Sequence, residues 1–115
     1  MGIVGAGPAG LLLAHLLQRA GIESVVLESR TREYVEKRVR AGVLEHGSVG
    51  VLDALGLADR LHREGMVHHG IELRFGGSGH RIDFAELTGG RGITVYGQQE
   101  VVKDLLAARE AAGAL

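Results

Sequence analysis

Six residues near the start carry the strongest chemical signal in the chain: Gly5-Ala6-Gly7-Pro8-Ala9-Gly10. Glycines at this spacing suit a backbone that must come close to phosphate. Gly5 permits a tight turn, Gly7 leaves no Cβ between the chain and a pyrophosphate, and Gly10 lets a helix pack close to a strand. Free N–H groups and the positive end of the helix dipole then face the anion across Pro8 and Ala9. Glu28 follows at the spacing where a carboxylate accepts hydrogen bonds from a ribose. An acid there disfavours a 2′-phosphate, so the dinucleotide expected at this place is FAD or NAD rather than NADP. A glycine-rich turn beside a solvated glutamate is the bland alternative. A strand before the motif and a helix after it argue against that.

The flanking pattern supplies both. Gly2-Ile3-Val4 reads as a short buried strand, and residues 9–20 as a helix. Leu13, Leu16, Leu17 and Ala20 fall at i, i+3, i+4 and i+7, with Gly21 as the stop. Residues 24–28 form a second strand, whose run Val25-Val26-Leu27 predicts burial on both faces. Together these make a β-α-β unit with parallel strands. Residues 31–37 are charged and suit one or two surface helical turns; residues 38–42 read as a loop. A second helix over 45–57 carries Val49, Leu52 and Leu55 and is broken at Gly56, and 58–63 adds a further turn or two. Residues 71–75 and 80–84 alternate on either side of Gly76-Gly77-Ser78-Gly79, which is a hairpin signature. After a turn at Gly89-Gly90-Arg91-Gly92 come a strand over 93–96 and a helix over 98–112, with Val101, Val102, Leu105 and Leu106 on one face.

The fold class expected is α/β: a partial Rossmann-like FAD-binding domain, with a βαβ unit followed by helices and a hairpin excursion. An NAD domain continues in regular strand–helix alternation, so the excursion and the GxGPAG form favour a flavoprotein. The first strand begins almost at residue 1, and no strand follows the last helix. Residues 1–115 are therefore expected to be the N-terminal part of that domain, truncated at both ends.

Composition narrows the partners. A length of 115 residues fits one domain at most, and 45% hydrophobic content with only 3% aromatics means a core of Leu, Val, Ile and Ala. Nineteen glycines against one proline imply many tight turns. A net charge of -1 gives no electrostatic case for nucleic acid or an anionic membrane. The absence of cysteine excludes disulfides and thiolate metal sites and is compatible with a reducing cytoplasm. The apolar run at 11–17 has no basic lead and is broken by His15, Gln18 and Arg19, so it is an internal helix rather than a leader or membrane span. A cytoplasmic location follows as an expectation. His68-His69 lacks ligand spacing, and neighbours on a strand point to opposite faces, so no metal site is expected. The 76–79 turn lacks the last glycine of a nucleophile elbow, where His80 stands, and the 89–92 turn lacks the lysine and hydroxyl of a P-loop.

Three more segments carry a resemblance. Arg38-Val39-Arg40-Ala41-Gly42-Val43-Leu44-Glu45, Gly65-Met66-Val67-His68-His69-Gly70 and Val95-Tyr96-Gly97-Gln98 resemble, in order and spacing, the 4-hydroxybenzoate hydroxylase family of flavin-dependent aromatic hydroxylases. The likeness covers essentially the whole chain. It implies a full-length enzyme in which NADPH or NADH reduces FAD, oxygen reacts with the reduced flavin, and a phenolic acid, 4-hydroxybenzoate, is hydroxylated. It also implies a homodimer, and an isolated 115-residue piece that is inactive.

Carried onto this chain, the resemblance puts Ala9 at the pyrophosphate turn and Glu28 on the adenosine ribose. Arg38, Val39, Arg40, Ala41, Gly42 and Val43 form the segment near the flavin, with Arg40 toward the pyrophosphate. Gln98 contacts FAD, and Ser29, Arg30 and Tyr34 fall where the family reads NADPH. His68 matches a histidine in a proton relay that deprotonates the phenol, a task suited to a group titrating near neutrality. Taken alone, the arginines and residues 29–34 suit solvated surface equally well, while Gln98 is better read as a polar helix start and His68 as a surface histidine. The family's later flavin motif and substrate sheet fall outside this sequence. Two other readings stay open: a flavin oxidoreductase acting on a different phenol, and a non-catalytic dinucleotide-binding module.

Overall fold

The glycine turn organises the first third of the chain. In a computed structural model, which describes residues 1–113, β1 (Gly2–Val4) runs into the turn and α1 (Pro8–Arg19) leaves it. Pro8 supplies a preset helical φ at the first position, where its missing N–H costs nothing. The helix ends in paired bonds from Gly21 N–H to the Gln18 oxygen (3.0 Å) and from Ile22 N–H to the Leu17 oxygen (2.9 Å). Gly21 takes a φ of 73°, the left-handed turn that this ending needs. The chain returns as β2 (Val25–Leu27), parallel to β1 with Ile3 opposite Val26. The βαβ unit is therefore present as expected.

Its packing departs from the sequence reading in two places. The buried stripe of α1 is Leu11, Ala14 and His15, whereas Leu13 and Leu16 are each 43% exposed. This helix is apolar on most sides, so periodicity alone does not choose the face; the last helix, α6 (Gln98–Ala111), packed alongside, does. The second departure is β2. Val25 and Leu27 are exposed and only Val26 is partly buried against the core. One face of the β1–β2 ladder is covered and the other is not.

Thr31 then caps α2 (Arg32–Lys37) by accepting the Tyr34 N–H at 3.3 Å. A strand the pattern did not reveal follows, β3 (Val43–Glu45), and leads directly into α3 (His46–Ala54). Gly56 (φ 71°) closes that helix with the same paired bonds as Gly21. Next come α4 (Asp59–Glu64), a second unforeseen strand β4 (Met66–His68), and the hairpin β5 (Gly70–Phe75) and β6 (Ser78–Asp83). Gly76 and Gly77 both have positive φ at the hairpin turn, as a two-residue connection of this hand requires. Asp83 caps a short α5 (Phe84–Thr88), so Phe84 starts a helix rather than ending a strand. The last elements are β7 (Ile93–Val95) and α6 (Gln98–Ala111).

β7 lies between β3 and β4, antiparallel to both. The core lies between this sheet's helices and the βαβ unit: Leu11, Leu52, Leu61, Tyr96, Val101, Val102 and Leu105 form its buried centre. The α6 face expected from spacing is the one buried. His15 adds a polar link from α1 to α6, its Nε2 lying 2.9 Å from the Leu105 carbonyl oxygen.

Candidate functional site

Each glycine of the turn has a separate task. Gly5 has a φ of 107°, and its N–H donates to the Leu27 oxygen at 2.7 Å, fastening the turn to the end of β2. A Cβ at Gly10 would lie 2.2 Å from the Gly5 oxygen and 3.3 Å from Ile3 Cγ2, so the glycine permits the helix–strand approach. At Gly7 a Cβ would meet nothing within 4 Å. The space above Gly7 is thus open, and α1 starts there with no side-chain cap and no acid in its first turn. Its first N–H groups, which have no partner within a helix, are left to meet an anion. A pyrophosphate fits this cradle.

Glu28 stands just beyond β2 and ties the turn from the other side. Its Oε2 accepts the Ala6 N–H at 2.9 Å, and its Oε1 accepts the Arg30 N–H at 2.9 Å. These bonds, Ala6 first, hold its carboxyl below the ordinary value of 4.5. The group is exposed, so its remaining lone pairs can accept from ligand hydroxyls. Beside it a cavity of about 460 Å³ has Val26, Val35 and Leu106 among its apolar lining residues and Glu28 and Arg30 among its polar ones.

Arg30, Tyr34 and Arg38 come together. The two guanidinium carbons lie 5.5 and 5.8 Å from the centre of the Tyr34 ring, within cation–π range. Ser29 joins this group through Glu28, to which its hydroxyl donates at 3.4 Å. The segment from Arg38 to Val43 meets Gln98 through main chain: Tyr96 N–H donates to the Gly42 oxygen and Gln98 N–H to the Ala41 oxygen, both at 2.9 Å. Val39, at 73% exposed, and Arg40 face solvent. His68 is exposed on β4 opposite Ile93, and no hydrogen bond or ion pair joins it to the other candidates.

Sequence reasoning missed one cluster. The Tyr96 hydroxyl donates to Asp104 Oδ2 at 2.7 Å, and Asp104 Oδ1 accepts from Arg60 Nη1 at 2.5 Å. Arg60 also pairs with Glu100 and, through Nε, with Glu64 at 3.1 Å. Burial, and then the bond to Asp104, push the Tyr96 phenol above the usual tyrosine range, so it stays a donor. The partners come from α4 and α6, and no local spacing announces them.

The FAD binding domain family matches residues 1–115. The p-hydroxybenzoate hydroxylase of Acinetobacter baylyi is 51% identical over 111 residues, which is 96% of this chain and 28% of that enzyme. The 6-methylpretetramide 4-monooxygenase of Streptomyces rimosus is 40% identical over 67 residues, 58% of this chain and 16% of the relative. Among solved structures, p-nitrophenol 4-monooxygenase from Pseudomonas putida superposes with a TM-score of 0.82 at 28% identity, covering 96% of this chain and 29% of that one. The chain thus spans less than a third of each of these proteins. Among the described residues, no helix is long and apolar enough to cross a membrane.

Proposed function

The chain belongs to the FAD binding domain family of flavin monooxygenases, and on that premise we propose that it holds FAD in an enzyme hydroxylating a phenolic acid, 4-hydroxybenzoate, with NADPH or NADH and oxygen. The observation that carries this reading is the 51% identity to p-hydroxybenzoate hydroxylase across 96% of the chain. Bound FAD would supply the redox chemistry and the reaction with oxygen.

The residues of this chain bind and orient. Gly5, Gly7, Pro8, Ala9 and Gly10 offer the start of α1 to the pyrophosphate, and Glu28 accepts from the adenosine ribose. Arg38, Val39, Arg40, Ala41, Gly42 and Val43, with Gln98, form the wall on the flavin side. Arg40 brings a planar fork suited to phosphate oxygens. Ser29, Arg30 and Tyr34 receive the nicotinamide dinucleotide, with Arg30 and its neighbour Arg38 supplying positive charge. His68 passes the phenolic proton at its imidazole.

The test is made on the full-length protein. Purified protein should release FAD on heating, and NADPH oxidation should rise when 4-hydroxybenzoate is added, with a dihydroxylated product. Protein that takes up no FAD sinks the reading altogether. A second reading, a monooxygenase for another phenol, draws on the fold shared with p-nitrophenol 4-monooxygenase. FAD-loaded protein that ignores 4-hydroxybenzoate but couples NADPH oxidation to another phenol would favour it.

A further inference from the structure

We propose that Tyr96 is a positioning residue for flavin binding, holding the 38–43 segment and Gln98 in fixed relation through a partly buried anchor on Asp104 and Arg60. The proposal rests on the reading above, in which that segment and Gln98 face FAD.

Two sets of bonds meet at this residue. On the main-chain side, β3 pairs with β7 only as far as Val43 opposite Val95. The Tyr96 N–H continues the ladder to Gly42, and Gln98 N–H carries it to Ala41. A stretch that composition marks as loop is thereby held like a strand edge. On the side-chain side, Tyr96 is 5% exposed, and its hydroxyl reaches the Asp104 carboxylate of α6. Arg60 of α4 grips the other oxygen of that carboxylate and lies over the Tyr96 ring, 5.6 Å from its centre. Two helices converge on one phenol.

A plain core role does not need the hydroxyl. Phenylalanine would fill the same volume, and a buried O–H is costly unless it is partnered. What the bond to Asp104 adds is direction: it fixes the ring against α6 and so fixes where residues 96–98 present their N–H groups. If the ring rocks, the Ala41 and Gly42 carbonyls lose register, and Arg40 and Gln98 shift relative to one another. The 38–43 segment has no buried side chain of its own to prevent this.

The experiment uses full-length protein stripped of flavin and compares Tyr96→Phe and Asp104→Asn with a control, Leu61→Val. Leu61 is buried in the same core and makes no bond to the network or the segment. Three quantities are read: the Tm of the flavin-free protein, the Kd for added FAD, and the visible absorption band of bound flavin. Tyr96→Phe should weaken FAD binding about tenfold, the scale of one hydrogen bond to a charged group, and move the flavin band. Leu61→Val should lower Tm and leave both Kd and band near wild type. A wild-type Kd and band in Tyr96→Phe and Asp104→Asn overturn the proposal. So does a Kd that follows Tm along one line through all the variants, since the effect is then stability alone. Wild-type protein that binds no FAD removes the reading of the segment and the proposal with it, a failure distinct from the other two.

Discussion

At Gly10 the atom that a methyl group would strike is backbone, the Gly5 oxygen, so the clash cannot be relieved by a side-chain turn. Gly10→Ala is expected to cost about 1–3 kcal/mol, the range for overpacking a fixed site. Gly7 differs because the space around its missing Cβ is open. Gly7→Ala should leave the flavin-free protein within about 1 kcal/mol of wild type, the cost of a poorer helix cap, yet weaken FAD binding. Urea unfolding and FAD titration of both variants check the contrast. Equal loss of stability would end the distinction between a packing glycine and a ligand-facing one. Glu28 adds a pH dependence whose sign is fixed by its lowered pKa. Its stabilising contribution is fully present above the ordinary value of 4.5 and disappears as pH falls through the lower folded value. The stability gap between wild type and Glu28→Gln should therefore close on acidification below that range. A gap constant with pH would mean that the bonds to Ala6 and Arg30 do not depend on the charge.

Among the elements, those marked by a chemical stop were legible in the sequence. Gly21 and Gly56 end helices where the pattern placed them, and the alternation around Gly76 marked the hairpin. β3 and β4 were not: β3 runs directly into the helix whose pattern was read from Glu45, and Met66–His68 has neither alternation nor a three-residue apolar run. Of the candidate site, the turn and Glu28 were legible because their chemistry is local. The Tyr96 anchor was not, since Arg60 and Asp104 lie 44 positions apart. The face of α1 was misread for a different reason. Leucines at 11, 12, 13, 16 and 17 satisfy several stripes at once. The two faces predict different energetics. Leu105→Ala, removing a fully buried side chain where α6 meets α1, should cost about 2–5 kcal/mol. Leu13→Ala should cost about 1 kcal/mol or less, given its exposure. Comparable losses in urea unfolding would restore the stripe that the spacing suggested.

For the molecule as a whole, shape and surface point the same way. The radius of gyration is 16.5 Å, against about 13 Å for a compact chain of this length. The hairpin contributes, since Leu73 and Phe75 on its strands are exposed although their alternation suits a covered face. The β1–β2 ladder matters more. Its outer face presents Val4 at 89%, Val25 at 45% and Leu27 at 58% exposure, while Ile3 behind them is buried. A two-stranded parallel sheet with one bare apolar face and free edges offers both surface and hydrogen-bonding groups to another copy. The 115-residue chain by itself should therefore self-associate as its concentration rises, and sedimentation velocity would record a growing mean mass. Val4→Thr with Leu27→Thr keeps residues that favour strands while removing apolar surface. That pair should shift the distribution back toward monomer and retain the parallel ladder. A parent chain that stays monomeric and unfolds in one cooperative step would show that the bare face is tolerated. Association unchanged by the two threonines would assign it elsewhere, with Phe75 and Leu73 on the hairpin as the next surface to alter.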